Sequence, residues 1–506
     1  SGLDGRTTLT ALKELSDHNI IRYDPIRRLN SFWPAGIDPK RLEEAIREQS
    51  EKIQLDESAF VQALNQTLWK DESYKFGEVL LDVSWGHPGD WAAKEHIATL
   101  SVLNGELLRS LVPPFVLTKD GLSDGGRGLV LWLLFEDETE RLPLYERAQA
   151  ALAEAWPDPT PPPVIALLPK HPLPELRELF VRLKALEEIG KQKDLVKEIG
   201  QQTYDHELSR TGTELERMLR QLRGDSDYFE DIRRKAGEII VPPAYQAAVA
   251  AATQGLSVKS VLAQLYDMAY RVRPPEFFTQ YPASQAKGPN KLRSAVKTVA
   301  KNLLHDRVGS ALSGMDNVAK DLCEKYLVKK WGMLTQPWGA VSSYALQKPA
   351  SLKLQPAWDL LDRSFAPGVQ DARLSEVIPK LLNPPYGFDH NTVMLLLCGW
   401  LGYHRSELLL SHRGARIGLG NLEQQIETTK TPRDFLNWAC VNGLALSRRD
   451  PDAALQEVQR IRARVIKREP FSQSEAREAL QALDDFAVQD KQPPDERQRA
   501  AEAAGQ

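Results

Sequence analysis

The chain has 506 residues, a formal net charge of −4, 42% apolar residues and 26% charged residues. At roughly 150 residues per domain, this length predicts about three domains. The composition excludes wholesale disorder and the low-complexity and collagen-like classes. The near-neutral charge argues against a uniform coat for nucleic acid and leaves room for a local basic face.

No apolar run reaches the roughly 18–20 residues that a membrane-spanning helix needs; the best candidate runs from Thr392 to Leu401. Ser1-Gly2 has no apolar signal core behind it and reads as the scar of tag removal on a piece of a longer protein. Cys323, Cys398 and Cys440 are far apart and form no CxxC pair. They read as buried small hydrophobes in a reducing cytoplasm rather than as a disulfide framework or zinc site.

In chain order, Leu9, Leu12 and Leu15 share a helical face, and 19–24 and 28–33 read as strands joined at Asp24-Pro25. Helix, strand, turn and strand make the tail of a winged helix-turn-helix. Asp38-Pro39 then opens a helix through Leu42, Ala45 and Ile46. Apolar runs at 79–83, 97–102, 129–135 and 164–169 predict buried strands, with a helix over 144–156 between the last two. From Pro174 to Arg223 the charged, Leu-spaced pattern predicts a helical hairpin or short coiled coil. Further helices are expected at 244–254, 257–272, 290–312, 315–333, 372–382, 390–403, 421–440, 452–468 and 474–488, interrupted by a strand-like 406–411.

The expected fold class is therefore α+β and mostly helical. A winged-helix-like segment with its following helices occupies 1–72, and a small α/β domain occupies 73–172. A charged hairpin or coiled coil spans 173–235, helical domains span 236–490, and a flexible tail ends the chain at 491–506.

No phosphate loop, Rossmann fingerprint, GxSxG elbow or HExxH occurs. The glycine-rich Gly121–Gly128 precedes its strand instead of following it, and reads as a flexible loop. His390, His404 and His412 lack metal-ligand spacing and read as turn or helix-end histidines. Trp85-Gly86-His87-Pro88-Gly89-Asp90-Trp91 reads as a structural turn or, alternatively, a binding loop. No catalytic residue, metal ligand or cofactor is expected. Two basic groups carry a nucleic-acid signal: Arg22, Arg27 and Arg28 beside the wing turn, and Arg293, Lys297 and Lys301, which form a single stripe at i, i+4 and i+8. The alternatives are a winged helix packed on protein and a solvated helix face.

The order of these features resembles the region that follows the ATPase core in the large P-loop ATPases of BREX bacteriophage-defence systems, the BrxC/PglY type. The resemblance rests on four pieces: Leu9 to Trp33; Val164 to Lys170 followed by the amphipathic Leu176 to Leu186; the charged helices after it; and Leu381 to Phe388 followed by Thr392–Leu401 and Glu407–Leu410. It implies a part in a multi-protein, DNA-acting defence complex. It carries over no catalytic residue, because no Walker motif is present to match. The expected function is a non-catalytic region that engages DNA and partner proteins; the alternative is a scaffold that binds protein alone.

Overall fold

A computed structural model describes residues 5–17, 21–24, 29–32, 39–70, 78–79, 93–123, 125–157, 160–222, 238–251, 258–272, 290–335, 344–367, 369, 372–405, 407–448, 451–472, 475–477, 479–480 and 482–483. The fold is mostly helical with small sheets, the α+β class that the patterning predicts. The chain divides into two compact units. The first takes in Ser1–Val79, Ala93–Leu111 and Gly128–Leu265; the second takes in Leu80–Ala92, Val112–Arg127 and Tyr266–Gln506.

In the first unit, helix Gly5–Asp17 precedes the antiparallel pair Ile21–Asp24 and Leu29–Phe32, with Ile21 opposite Phe32 and Asp24 opposite Leu29. A five-stranded sheet follows in the order Glu78–Val79, Ala93–Ala98, Leu129–Leu133, Val164–Leu168, Glu238–Ile240. The three central strands are parallel and the outer two are antiparallel to them. Every residue of Leu129–Leu133 and Val164–Leu168 is buried, which is why both read as unbroken apolar runs rather than alternating ones.

Strand Ala93–Ala98 begins four residues before the predicted 97–102, and Thr99–Val102 turns away from it. Its polar start hid it: Glu95 is buried and accepts the Trp132 indole N–H at 2.9 Å. Near the end of this strand the partner is a side chain. Asn65, on helix Glu57–Lys70, accepts the Ile97 N–H at 2.8 Å and donates to the Ile97 carbonyl at 2.9 Å. The carboxamide thus does the work of a neighbouring strand's peptide group.

The charged stretch folds as three helices, Leu176–Gly190, Lys193–Ile199 and Gln201–Leu222. Helix Pro39–Lys52 joins them, and Leu42, Ala45 and Ile46 share one apolar cluster with Ala185, Leu186, Ile189 and Tyr204. Arg182 bridges these helices, bonding Glu43 at 2.6 Å and Glu207 at 2.9 Å. Burial alone would raise the Glu207 carboxyl, but the Arg210 and Arg182 guanidiniums outweigh it and hold it below the usual range.

The second unit is built on crossing helices Asn290–Leu304 and His390–Tyr403. Gly402 makes the crossing possible: a Cβ there would lie 1.9 Å from the Leu303 carbonyl oxygen. The predicted helix 315–333 runs as α-helix over Asn317–Asp321 and widens into a π-helix over Leu322–Lys330, where Trp331 N–H bonds the Tyr326 carbonyl at 2.7 Å.

The strand-like 406–411 is not an isolated interruption. Leu408–His412 lies inside an antiparallel sheet ordered Ala372–Arg373, Leu444–Arg448, Leu408–His412, Ala415–Ile417. The predicted helix 421–440 is two helices, Leu419–Thr428 and Pro432–Val441. Thr431 and Asp434 form a capping box, and Pro432 sits in the first turn.

The glycine-rich segment, expected to be a flexible loop, is held in place. Leu117–Thr118 pairs with Gly121–Leu122. Asn383 exchanges two bonds with the Phe115 backbone, at 2.9 and 2.7 Å. Asn437 accepts the Leu122 N–H at 2.8 Å, and Arg433 donates to the Leu122 carbonyl at 2.9 Å. Buried Arg127 reaches the carbonyls of Gly387 and Phe388.

Candidate functional site

The predicted contact residues fall in both units. Arg22 lies on strand Ile21–Asp24, opposite Ser31; Arg27 and Arg28 lie outside the described residues, as does the Trp85–Trp91 turn. Arg293, Lys297 and Lys301 share one face of helix Asn290–Leu304, as their spacing requires. That face is packed rather than open. Lys297 donates to the carbonyls of Glu427 at 3.0 Å and Thr429 at 2.5 Å, and Lys301 pairs with the Glu427 carboxylate at 2.5 Å.

These carbonyls close the C-terminal end of helix Leu419–Thr428, where cations are favoured by the unpaired carbonyls and the helix dipole. Burial and the neighbouring Lys301 charge pull the Lys297 ammonium below its ordinary value, and the Lys301 bond pulls the Glu427 carboxyl down. Arg293 is half-buried and its Nε is enclosed by protein. Lys297 and Lys301 are therefore spent on holding two helices together, a partnership across more than 120 residues that no local pattern reveals.

Exposed basic charge is also found at the tip of the second unit's sheet. Strands Leu408–His412 and Ala415–Ile417 are joined by Arg413-Gly414, with His412 opposite Ala415. Both linking residues have positive φ, +52° and +78°, the two-residue turn that matches strand twist and normally takes Asn-Gly or Gly-Gly. Arginine in the left-handed region costs roughly 1–2 kcal/mol. Arg413 and Arg416 are both exposed. Arg413 is steadied by the Asn442 side-chain oxygen at 2.6 Å, and beside the turn the His412 ring lies 5.4 Å from Trp438 at 31°. Its signal in the sequence is the Arg-Gly pair between two short strands, which the helical and histidine patterns pass over.

A buried polar cluster adjoins the Leu408 and Arg448 end of this sheet. His404 is buried at the end of helix His390–Tyr403, with Nε2 3.1 Å from Asp362 and Nδ1 3.3 Å from Glu407. Arg448 bonds Glu407 at 2.8 Å and approaches Asp362 at 3.6 Å, and the Trp400 N–H donates to Asp362 at 2.9 Å. Burial would raise the Asp362 carboxyl, but the His404 and Trp400 bonds prevail and hold it below the usual range. Both imidazole nitrogens face carboxylates, so neither is presented to an outside group. The cluster ties helices Gln355–Ser364 and His390–Tyr403 to strand Leu444–Arg448.

The three cysteines are free and buried, as expected. Burial pushes the thiols of Cys323 and Cys440 up to about 12, and Cys398 higher still, which suppresses the reactive thiolate. Among the described residues no group of three or more His, Cys, Asp or Glu side chains could hold a metal ion, and no helix is long and apolar enough to cross a membrane. No protein-family model, curated protein or solved structure matches the chain.

Proposed function

We propose that this chain is a non-catalytic region that engages DNA and partner proteins within a BREX-like anti-phage ATPase assembly. The observation that carries the DNA part is the exposed Arg413-Gly414 hairpin with Arg416 beside it. Two-stranded ribbons and wings contact nucleic acid through phosphates and grooves, and arginines at the tip serve phosphates whatever the sequence. An adjacent ring pair, His412 and Trp438, adds an aromatic surface of the kind that bases stack upon. The order of sequence features supports the BREX part, and the sequence pattern around Arg22, Arg27 and Arg28 adds a second basic group.

A second reading, a scaffold that binds protein alone, is favoured by the internal use of Lys297 and Lys301. One comparison separates the two readings. Under the first, Arg413→Asn with Arg416→Ser lowers DNA affinity without lowering stability, since Asn is the preferred residue in this turn. Lys297→Met with Lys301→Met does the reverse. Under the second, the wild-type chain binds no DNA at low salt.

A further inference from the structure

The first unit contains a cleft of about 500 Å³ beside strand Ala93–Ala98. That volume falls in the range of roughly 300–1,000 Å³ typical of small-ligand sites. One wall is helix Glu57–Lys70, whose Ser58, Gln62 and Gln66 line the cleft at i, i+4 and i+8 and so form a single polar row. The floor holds Asn65 and His96. The opposite wall is apolar, made by Val102 and Leu107 from the connection and helix that follow the strand. In sheets with parallel strands, ligands bind beyond the carboxyl ends of the strands, and this connection leaves that end.

The chemistry of the lining is specific. No Lys, Arg, Asp or Glu is among the described residues that form it. Asn65 is committed to Ile97 and serves as a fixed floor. His96 is held neutral by burial, its pKa pushed down to about 4. His96 Nε2 lies 3.4 Å from the Asn65 amide nitrogen, so the hydrogen-bonding capacity left for a ligand is carboxamide and hydroxyl, facing an apolar wall. A carboxamide offers one donor and one acceptor side by side, which is the complement of the N6 and N7 edge of adenine. A phosphate finds no cation here.

We propose that this cleft binds an adenine base, presented by a free nucleoside or by a nucleic-acid strand, with Gln62 and Gln66 reading its edge. The lining of this site belongs to the first unit and the basic hairpin to the second, and an uncharged nucleoside engages the cleft without dependence on salt.

The test is calorimetric titration of the full chain with adenosine, guanosine, cytidine and a short oligo-dA, each at two salt concentrations. Adenosine binds saturably, at least tenfold tighter than guanosine or cytidine and equally at both salts. Gln66→Ala weakens it by tenfold or more, and Leu107→Trp, which fills the cleft, abolishes it, both with unchanged circular dichroism and melting. Oligo-dA that binds no tighter than adenosine identifies the free nucleoside as ligand. Tighter oligo-dA binding that remains sensitive to Gln66→Ala identifies a strand. Absence of saturable adenosine binding, equal binding of all nucleosides, or indifference to both substitutions overturns the proposal.

Discussion

Replacing Arg448 by Met tests whether the Asp362–His404–Glu407–Arg448 cluster is a structural clamp. Arg448 makes bonds of 2.8 and 3.2 Å to Glu407 and lies over the Trp400 ring at 5.9 Å. Met keeps much of the side chain's volume and loses the charge, leaving Glu407, whose side chain is only 10% exposed, beside Asp362 with one fewer cation. Breaking a fully buried pair costs about 3–5 kcal/mol. Asp362 is 31% exposed, and solvent there screens part of the loss; the expected cost is roughly 2–4 kcal/mol.

At about 2–4 °C per kcal/mol for a unit of this size, the melting temperature drops by roughly 5–15 °C. Thermal melts of Arg448→Met, Glu407→Gln and the double variant form the cycle. Adding Glu407→Gln to Arg448→Met removes the uncompensated charge, so it recovers part of the loss instead of adding to it. A single-variant cost under about 0.5 kcal/mol, or strict additivity, refutes the clamp.

Other outcomes follow from the same geometry. His96 is depressed in the folded chain, so stability is fully present above its unfolded pKa of about 6.5 and declines as pH falls toward 4; the loss is about 2–3 kcal/mol, and His96→Gln flattens that part of the pH profile. Gly402→Ala, which forces a Cβ onto a backbone carbonyl, destabilises by roughly 2–4 kcal/mol. Gly212→Ala, a helix position with nothing within 4 Å of the new Cβ, stabilises by about 0.5–1 kcal/mol; urea melts distinguish the two. Asn437→Ala leaves the Leu122 N–H without its acceptor and costs roughly 1–3 kcal/mol, and hydrogen exchange at Gly121 and Leu122 accelerates by at least tenfold.

The parts of the fold legible in the sequence are those whose cause is local. Leu129–Leu133 and Val164–Leu168 read correctly because both faces are covered, and His390–Tyr403 because every residue from His390 to Gly402 is buried in a stretch too short to span a membrane. The break between Leu419–Thr428 and Pro432–Val441 was written in Thr431-Pro432-Arg433-Asp434, a cap that a purely periodic reading passes over.

Strand Leu444–Arg448 follows Gly443 at φ +63°, and its five residues carry too short a pattern to stand out from the helices around it. Long-range side-chain roles left no trace at all. Asn65, Asn383 and Asn437 each act as a peptide group for a distant segment, and nothing near them in sequence announces it. The basic stripe shows the same limit: its spacing was right, while Glu427 and Thr429, which determine its use, lie far along the chain.

The most direct test of the central claim is fluorescence-polarisation binding of the full chain to single- and double-stranded DNA across a salt series, beside the Arg413→Asn, Arg416→Ser variant. Each phosphate neutralised contributes a slope of about −0.9 in log K against log salt on duplex DNA. The wild type is expected to show steep negative dependence and the variant a slope flatter by about 2, alike for unrelated sequences. No binding at low salt, or an unchanged slope in a folded variant, contradicts the claim.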